Sequence, residues 1–379
     1  MVDMERALAK PILDDLTKKI ILITGPRQTG KTTLAKMLSD RYDYLNYDNA
    51  DHRIHLLRKT WDRARDVIIF DELHKLKNWK SWLKGIFDTE GIPPALVVTG
   101  SAKLDTARKV GDSLAGRFFQ FRLHPLDLKE IRVSLHSDNP AADLDALLNL
   151  GGFPEPFLNG TERFYHRWKK SHLDIILKQD LPEMENVQQI LAVETLIQLL
   201  KRNVGTPVSY SSLARDLQCS DKTIKRWLTI LENMYVVFRV PPYHKNIARA
   251  ILKSPKYYFY DNGQVDGDPG AKLENLVACA LHKEIHFQAD CLGEDLKLHY
   301  LRNKDGREID FLVTRGGVSS LMIEAKWREE QLSPNFSIFE KNLAKPRKIQ
   351  LVKELSREKT YPDGGEVRRA CDWLARLPL

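Results

Sequence analysis

The sequence predicts an α/β fold in which a parallel sheet is flanked by helices, and three observations predict it. Three short apolar runs, KKIILIT (18–24), DVIIF (66–70) and ALVVT (95–99), have the length and continuity of strands buried on both faces. Helical patterns follow them, the alternation that winds a chain into parallel strands. A glycine-containing segment, GPRQTGKT (25–32), joins the first run to its helix.

That segment fits G-x-x-x-x-G-K-[ST], and its context is right, with an apolar strand before it and the helical TLAKMLSD after it. Gly25 and Gly30 let the backbone wrap a phosphate. The amides of Pro26–Thr29 (proline excepted) and the helix start at Lys31, Thr32 and Thr33 point toward the anion, where the helix dipole places about half a positive charge. Arg27 and Gln28 lie within the same wrap. Lys31 adds a full charge at the β- and γ-phosphates, and the Thr32 hydroxyl suits Mg²⁺. The expected ligands are ATP and Mg²⁺.

The second strand ends in two acids, VIIFDE (67–72). Charges are costly inside a protein, but at the C-terminal end of a parallel strand they face the crevice where ligands bind. Asp71 is expected to hold Mg²⁺, directly or through water, and Glu72 to polarise an attacking water. The third strand ends ALVVTGSA (95–102), where Ser101, or Thr99, can reach the γ-phosphate or that water. In SLAGRFFQFRLHPL (113–126), Arg117 is a candidate phosphate ligand, in its own subunit or a neighbour's; the alternative is a surface arginine.

With 379 residues, 42% of them hydrophobic and 29% charged, the chain is expected to be a soluble, cytoplasmic, multidomain protein. No apolar run approaches the roughly 20 residues of a membrane helix, so no membrane partner is expected. Cys219, Cys279, Cys291 and Cys371 lack zinc-ligand spacing and read as reduced thiols. The net charge of +8 is uneven: Ser220 to Lys256 holds eight Lys/Arg against two acids. A concentrated basic stretch suits nucleic acid, though a solvated surface explains it equally well.

The middle of the chain reads as helical. Asp143–Leu150 is closed by Gly151-Gly152, Phe153–Pro156 reads as a turn, and Arg163–Leu177 and Val193–Val204 as helices. From Ser209 the pattern is helix, turn, helix, strand. Ser220 is a plausible N-cap. Ile224, Trp227, Leu228 and Leu231 form an apolar stripe, leaving Lys222, Lys225, Arg226 and Thr229 outward. A recognition helix in a major groove has this design, and so does a helix used only for packing.

Beyond about residue 250 strands dominate. Lys256–Tyr260 is β-prone, Ala271–Lys283 reads as a helix, and Leu296–Leu301, Glu308–Val313 and Ser320–Ala325 as strands broken at Asn303–Gly306 and Gly316-Gly317. Alternation puts Glu308 and Asp310 on one face, and Glu324 and Lys326 share a face. A turn centred on Gly316-Gly317 sets Asp310 close to opposite Glu324 on the neighbouring strand. Two carboxylates and a lysine then converge, a set able to bind Mg²⁺ and stabilise phosphate oxygens.

Together GPRQTGKTTL, IIFDELHKLKNWKSWLKGIFD, VVTGSA, SLAGRFFQFRLHPLDLKE, GGFPEP (151–156) and YFYDNG (258–263) resemble the prokaryotic AAA-type ATPases that carry a C-terminal domain of unknown function. The resemblance spans most of the chain. It lacks an equivalent of the lid arginine that many AAA proteins carry. It implies a P-loop NTPase of AAA type (1–135), a helical lid or connector (136–190), a winged helix (191–245) and an α/β C-terminal domain (246–379). That last domain resembles the PD-(D/E)xK restriction-type nucleases, with Asp310 as first acid, Glu324-Ala325-Lys326 as the second part and Glu274 as the extra acid; its metal ligands would be Glu274, Asp310 and Glu324. The expected function is Mg²⁺-dependent ATP hydrolysis coupled to nucleic acid, DNA before RNA, with metal-dependent cleavage as an added activity and a homo-oligomer left open. The alternative is an ATP-gated switch for protein partners with a silent nuclease-like domain. A P-loop kinase is disfavoured because Glu72 beside Asp71 suits water as acceptor.

Overall fold

A computed structural model describes residues 4–100, 114–181, 190–244, 254–377 and 379. The chain divides into two compact units, one built on residues up to Pro125 and the other on those from Leu126 onward, apart from two three-residue pieces at 233–235 and 290–292 that group with the first.

In the first unit the order is α1 (Ala9–Asp15), β1 (Ile20–Thr24), α2 (Lys31–Met37), β2 (Tyr42–Asn46), α3 (Ala50–Arg58), β3 (Val67–Asp71), α4 (Trp79–Glu90), β4 (Ala95–Thr99) and β5 (Phe118–Arg122). The five strands form one parallel sheet in the order β2-β3-β4-β1-β5. The three expected strands are the three central ones, and all their residues are buried. The edge strands β2 and β5 escape the sequence reading because they are half-buried and carry mixed residues, YDYLN and FFQFR. Ile20, Leu22, Ile68, Phe70, Leu96 and Val98 face a core that Trp61, Trp79 and Leu83 cover. Trp61, Phe70 and Trp82 meet edge to face there.

The second unit opens with α5 (Leu128–Ser134), α6 (Pro140–Leu150), α7 (Pro154–Asn159) and α8 (Glu162–Ile175), which runs on in a wider turn over Ile176–Asp180. Then come α9 (Ile190–Arg202), α10 (Tyr210–Asp216) and α11 (Asp221–Asn233), followed by the antiparallel pair β6 (Val237–Val240) and β7 (Lys256–Phe259). Next is α12 (Pro269–Leu292), nearly twice the length the sequence suggests, capped by Asp268 on the Ala271 amide. The remaining elements are β8 (Leu296–Arg302), β9 (Glu308–Arg315), β10 (Val318–Lys326), α13 (Asn335–Glu340), β11 (Arg347–Val352), β12 (Lys359–Thr360), β13 (Gly365–Arg369) and α14 (Ala370–Leu374). The strands form a mixed sheet, β12-β13-β11-β10-β9-β8, in which β8, β9 and β10 are antiparallel and β11 runs parallel to β10. Among the described residues no helix is long and apolar enough to cross a membrane.

Contrary to expectation, Phe153–Pro156 is not a simple turn: Pro154 opens α7, where its fixed φ suits a first helical position and its missing N–H costs nothing. The glycines before it are explained by tertiary packing. At Gly151 φ is +67°, and an added Cβ would collide with Asp261 Oδ1. At Gly263 it would collide with the Tyr165 hydroxyl. Thus GGFPEP and YFYDNG pack against one buried acid, Asp261, which accepts hydrogen bonds from Tyr165 Oη (2.9 Å) and the Gly263 amide (3.3 Å).

Burial pushes the Asp261 carboxyl up to about 6, although Tyr165, the Gly263 amide and Lys169 pull it down. A folded pKa above the unfolded one means the native state holds the proton more tightly. The associated stability is fully present below the ordinary aspartate pKa and is lost as pH rises through about 6. Asp261→Asn removes this dependence. Between pH 5 and pH 8 its stability relative to wild type should improve by about 1 kcal/mol, read from urea midpoints at the two pH values; a parallel pH response in both proteins would contradict this origin.

Candidate functional sites

The first site lies at the C-terminal ends of β1, β3 and β4. Main-chain geometry makes the loop from Gly25 to Gly30 possible. Gly25 has φ +144°, and a Cβ there would collide with the Leu123 carbonyl oxygen; Gly30 caps α2 at φ +90°. Gln28, exposed, also takes positive φ. Thr29 Oγ1 donates to the Pro26 carbonyl (2.9 Å), closing the loop on itself. Lys31 is buried, and its ammonium donates to the carbonyls of Gly25 (3.0 Å) and Pro26 (2.6 Å), so it stands inside the loop. Thr33 is exposed on α2, unlike the buried Lys31. No motif singles out Arg6. It is nevertheless buried, donates to the carbonyls of Thr29 (2.7 Å) and His124 (2.7 Å), and braces the loop from behind.

Asp71 ends β3, buried, and is surrounded by donors. Its Oδ2 accepts from Thr32 Oγ1 (3.0 Å) and Tyr44 Oη (2.7 Å), and its Oδ1 from Thr99 Oγ1 (2.5 Å) and the Glu72 amide (3.1 Å). Thr32 opens α2, Tyr44 lies on β2 and Thr99 ends β4, so one carboxylate ties these segments to its own strand. The Tyr44 phenol is pushed up, first by burial and then by the hydrogen bond to Asp71. Tyr44 went unseen in the sequence because β2 did. Thr99, one of two sequence candidates, points at Asp71; the other, Ser101, lies outside the described residues.

Glu72 takes φ +55°, a left-handed conformation that costs a non-glycine residue roughly 1–2 kcal/mol. That backbone swings the side chain away from the strand direction, and its Oε2 stands 3.5 Å from His74 Nε2. Burial raises the Glu72 carboxyl, the neighbouring Asp71 charge raises it further, and Arg27, Lys31 and Lys75 pull it down. These residues therefore share one electrostatic neighbourhood. The donor set fits a triphosphate with a hard cation: a buried ammonium and loop amides for phosphate oxygens, Thr32 and Asp71 for the metal.

Arg117 does not join this site in its own subunit, which leaves the other two readings, a ligand for a neighbour's phosphate or a surface arginine. It precedes β5, at the N-terminal end of the parallel strands where Ile20 pairs with Phe118, and the loop follows Thr24 at the opposite end. The separation is one strand length, about 16 Å. Its guanidinium is engaged by Asp88 (2.6 Å), so it does not reach the phosphate loop of its own subunit.

Comparison with known families agrees with this geometry. Residues 17–132 match the family model described as an AAA domain. Residues 141–265 and 269–367 match two further models, each described only as a domain of unknown function. Uncharacterized proteins of Mycobacterium tuberculosis and Mycobacterium bovis are each 26% identical over 309 residues, 79% of this chain and 68% of theirs. An uncharacterized protein of Haemophilus influenzae is 24% identical over 413 residues, 99% of this chain and 98% of its own. Two variants of RuvB from Thermotoga maritima, at 18% identity, cover 63% and 62% of the chain and 90% and 87% of their own, with TM-scores of 0.33 and 0.30.

In the second unit β9 and β10 pair with Phe311 opposite Ile323, which sets Asp310 opposite Glu324 one step on; a bulge between Ser319 and Leu321 shifts the register by one, and without it the Gly316-Gly317 turn would bring Asp310 opposite Ile323. Asp310 Oδ2 accepts from the Ala325 amide (2.9 Å). Lys326 Nζ is 2.8 Å from Glu324 Oε1; burial raises the Glu324 carboxyl, and Lys326 and Ser333 pull it down. Glu274 approaches from α12, half-buried, and its carboxyl is raised by burial and then by the Asp310 charge. It does not complete a three-carboxylate ligand set: among the described residues Glu274, Asp310 and Glu324 do not bring three oxygens within 4.8 Å of one another. The reason is Lys256, which closes the basic stretch of the sequence. It is fully buried, with Nζ 3.0 Å from Glu274 Oε1 and 2.5 Å from Glu308 Oε1. Tyr258 Oη donates to the same Glu274 oxygen (2.7 Å).

The helix α11 matches its expectation. Ser220 caps it (2.9 Å to the Thr223 hydroxyl, 3.1 Å to the Thr223 amide), and Ile224, Trp227, Leu228 and Leu231 are buried. Lys222, Lys225 and Arg226 are exposed, and the Lys225 ammonium stands over the Tyr210 ring. Of the other basic residues between 220 and 256, Arg239 pairs with Glu232, and Lys245, Arg249 and Lys253 lie outside the described residues.

If Asp71 orients the metal through its hydroxyl partners, loosening it should weaken metal-assisted binding alone. Tyr44→Phe and Thr99→Val each delete one hydrogen bond, worth about 0.5–1.5 kcal/mol. Affinity for a fluorescent ATP analogue should drop about 3- to 10-fold with Mg²⁺ and stay unchanged in EDTA; an equal drop in both would make these residues mere supports of the sheet.

Proposed function

We propose that the chain is a Mg²⁺-dependent ATPase whose turnover is coupled to nucleic acid. The observation that carries the first half is the Asp71 carboxylate. Four donors saturate its two oxygens, which favours a metal held by Thr32 and by waters that Asp71 orients, over direct ligation by Asp71. Lys31 and the loop amides hold and neutralise the β- and γ-phosphates. Glu72, turned out of the strand, orients the attacking water; burial and the Asp71 charge raise its carboxyl, and Arg27, Lys31 and Lys75 oppose that rise. A carboxylate in that position favours hydrolysis over transfer to a kinase substrate.

Nucleic acid is the proposed partner because α11 offers three cations on the face opposite a buried stripe, with the β6–β7 ribbon following it in the chain, an arrangement that supports the winged-helix reading. Asp310, Glu324 and Lys326 are the proposed centre for metal-dependent cleavage, with the divalent cation supplying Lewis-acid activation of water and the lysine offsetting charge on phosphate oxygens. The rival reading, an ATP-gated protein switch with a silent C-terminal domain, gains support from Lys256, whose ammonium already neutralises part of the carboxylate cluster.

The deciding measurement is the ATPase rate with and without DNA or RNA across a salt series; stimulation by either separates the leading reading from the switch. Lys31→Ala should abolish tight ATP binding. Glu72→Gln should retain binding and slow turnover by about 10²-fold or more; unchanged turnover removes Glu72 from the mechanism.

Replacing Lys222, Lys225 and Arg226 with Ala should weaken binding to any nucleic-acid sequence. The slope of log affinity against log salt should fall by about 1 for each phosphate that the wild-type helix engages and the variant does not. Identical slopes would assign α11 to packing. Asp310→Ala should stop Mg²⁺- or Mn²⁺-dependent nicking and spare ATP hydrolysis, because the two reactions draw on separate carboxylates.

A further inference from the structure

We propose that Lys256 is a built-in cation filling the Glu274–Glu308 side of the C-terminal carboxylate cluster, so that the site takes one divalent cation, between Asp310 and Glu324, and not two. This rests on the metal-binding reading of that site and narrows it.

The argument begins with β7. Its pairing with β6 runs Val240 opposite Lys256, and Pro207 also bridges to Lys256. The backbone at Lys256 is therefore fixed, and its side chain has no exposed surface. The ammonium lies between Glu274 and Glu308, at 3.0 and 2.5 Å. Both acids have further donors: Tyr258 Oη on Glu274, and Arg302 on Glu308 at 3.0 Å. Gly205, at φ +78°, brings its backbone so close that a Cβ there would lie 2.7 Å from Glu274 Oε2. A cation entering this side would have to displace an ammonium that has no route to water, and would leave it buried and unpaired.

The other side of the cluster is different. Glu324 is 4% exposed, its Oε1 is held by Lys326 and the Ser333 hydroxyl lies near the carboxylate, but its Oε2 is buried with no partner at hydrogen-bond distance among the described residues. A buried carboxylate oxygen left without a donor is expensive, and a cation is one way to satisfy it. Asp310 stands opposite on β9, with Oδ2 fixed by the Ala325 amide. Two-metal sites place their ions about 3.5–4 Å apart with shared carboxylates, and here the carboxylates needed for a second ion belong to Lys256.

The test is a nucleotide-free titration of the full chain with Mn²⁺, counting bound ions by electron paramagnetic resonance. Asp310→Ala should lose one equivalent relative to wild type. Lys256→Met should gain a second, because Glu274 and Glu308 are released. Glu274→Gln, which keeps the shape of the side chain, should leave Mn²⁺ affinity within about threefold; a drop beyond about tenfold, the scale of removing a ligand or its immediate support, makes Glu274 a ligand and overturns the proposal. Two equivalents missing in Asp310→Ala, or no gain in a folded Lys256→Met, also overturns it. If Lys256→Met does not fold, judged by circular dichroism, the Asp310 and Glu274 variants still decide. No difference between wild type and Asp310→Ala sinks the underlying metal reading itself, an outcome distinct from the others.

Discussion

A carboxylate removed from water must be met by donors or by a cation, and the organisation of this chain follows from how its buried acids meet that demand. Asp71 is the clearest case. Strands β1, β3 and β4 bury their apolar residues completely, so the acid at the end of β3 is carried into a nearly dry position. Hydroxyls from Thr32, Tyr44 and Thr99 and the Glu72 amide satisfy it. Those donors come from the first helix after the loop and from the strands on either side, so satisfying one charge also fixes the spacing between the phosphate loop and the strand ends. The site's precision is a by-product of compensating that burial.

The second unit repeats the principle with different partners. Asp261 is satisfied by Tyr165 and by a backbone amide, and the space around it is so small that Gly151 and Gly263 can carry no side chain. Glu274 and Glu308 are satisfied by a buried ammonium. Glu324 is satisfied on one oxygen only, among the described residues. The first two arrangements are closed and structural. The last is open, and an open buried carboxylate beside a second one is where a metal ion gains most. Graded satisfaction of this kind separates acids that hold the fold from acids that can do chemistry, even where they stand a few residues apart.

How much was legible in the residues differs between the two units. The phosphate loop and the acidic strand end were readable because a continuous apolar run has few alternatives to a buried strand, and because glycines and a lysine at fixed spacing serve one backbone shape. The pairing of Asp310 with Glu324 was readable to within one residue, because strand alternation has a period of two and a Gly-Gly turn marks the hairpin; the bulge between Ser319 and Leu321 that completes the register was not. The edge strands β2 and β5 were not, since half-buried strands carry mixed residues, and with β2 the role of Tyr44 was hidden too. Which reading of Arg117 holds could not be told from the residues around it, because they do not say that it precedes β5, at the end of the sheet away from the loop.

The sequence by itself determined which segments are buried strands, where the phosphate loop sits, and which carboxylates share a strand face. These properties depend on local periodicity and on residues close together along the chain. Only the tertiary structure decided which charges are neutralised internally. Lys256 reads as one more cation in a basic stretch, yet strand pairing buries it against Glu274 and Glu308, 18 and 52 residues away in the chain. Arg6 reads as one more charge in a polar segment, yet it braces the loop at Thr29. Solvent access and long-range pairing set what a charge does, and neither is written in the residues on either side of it.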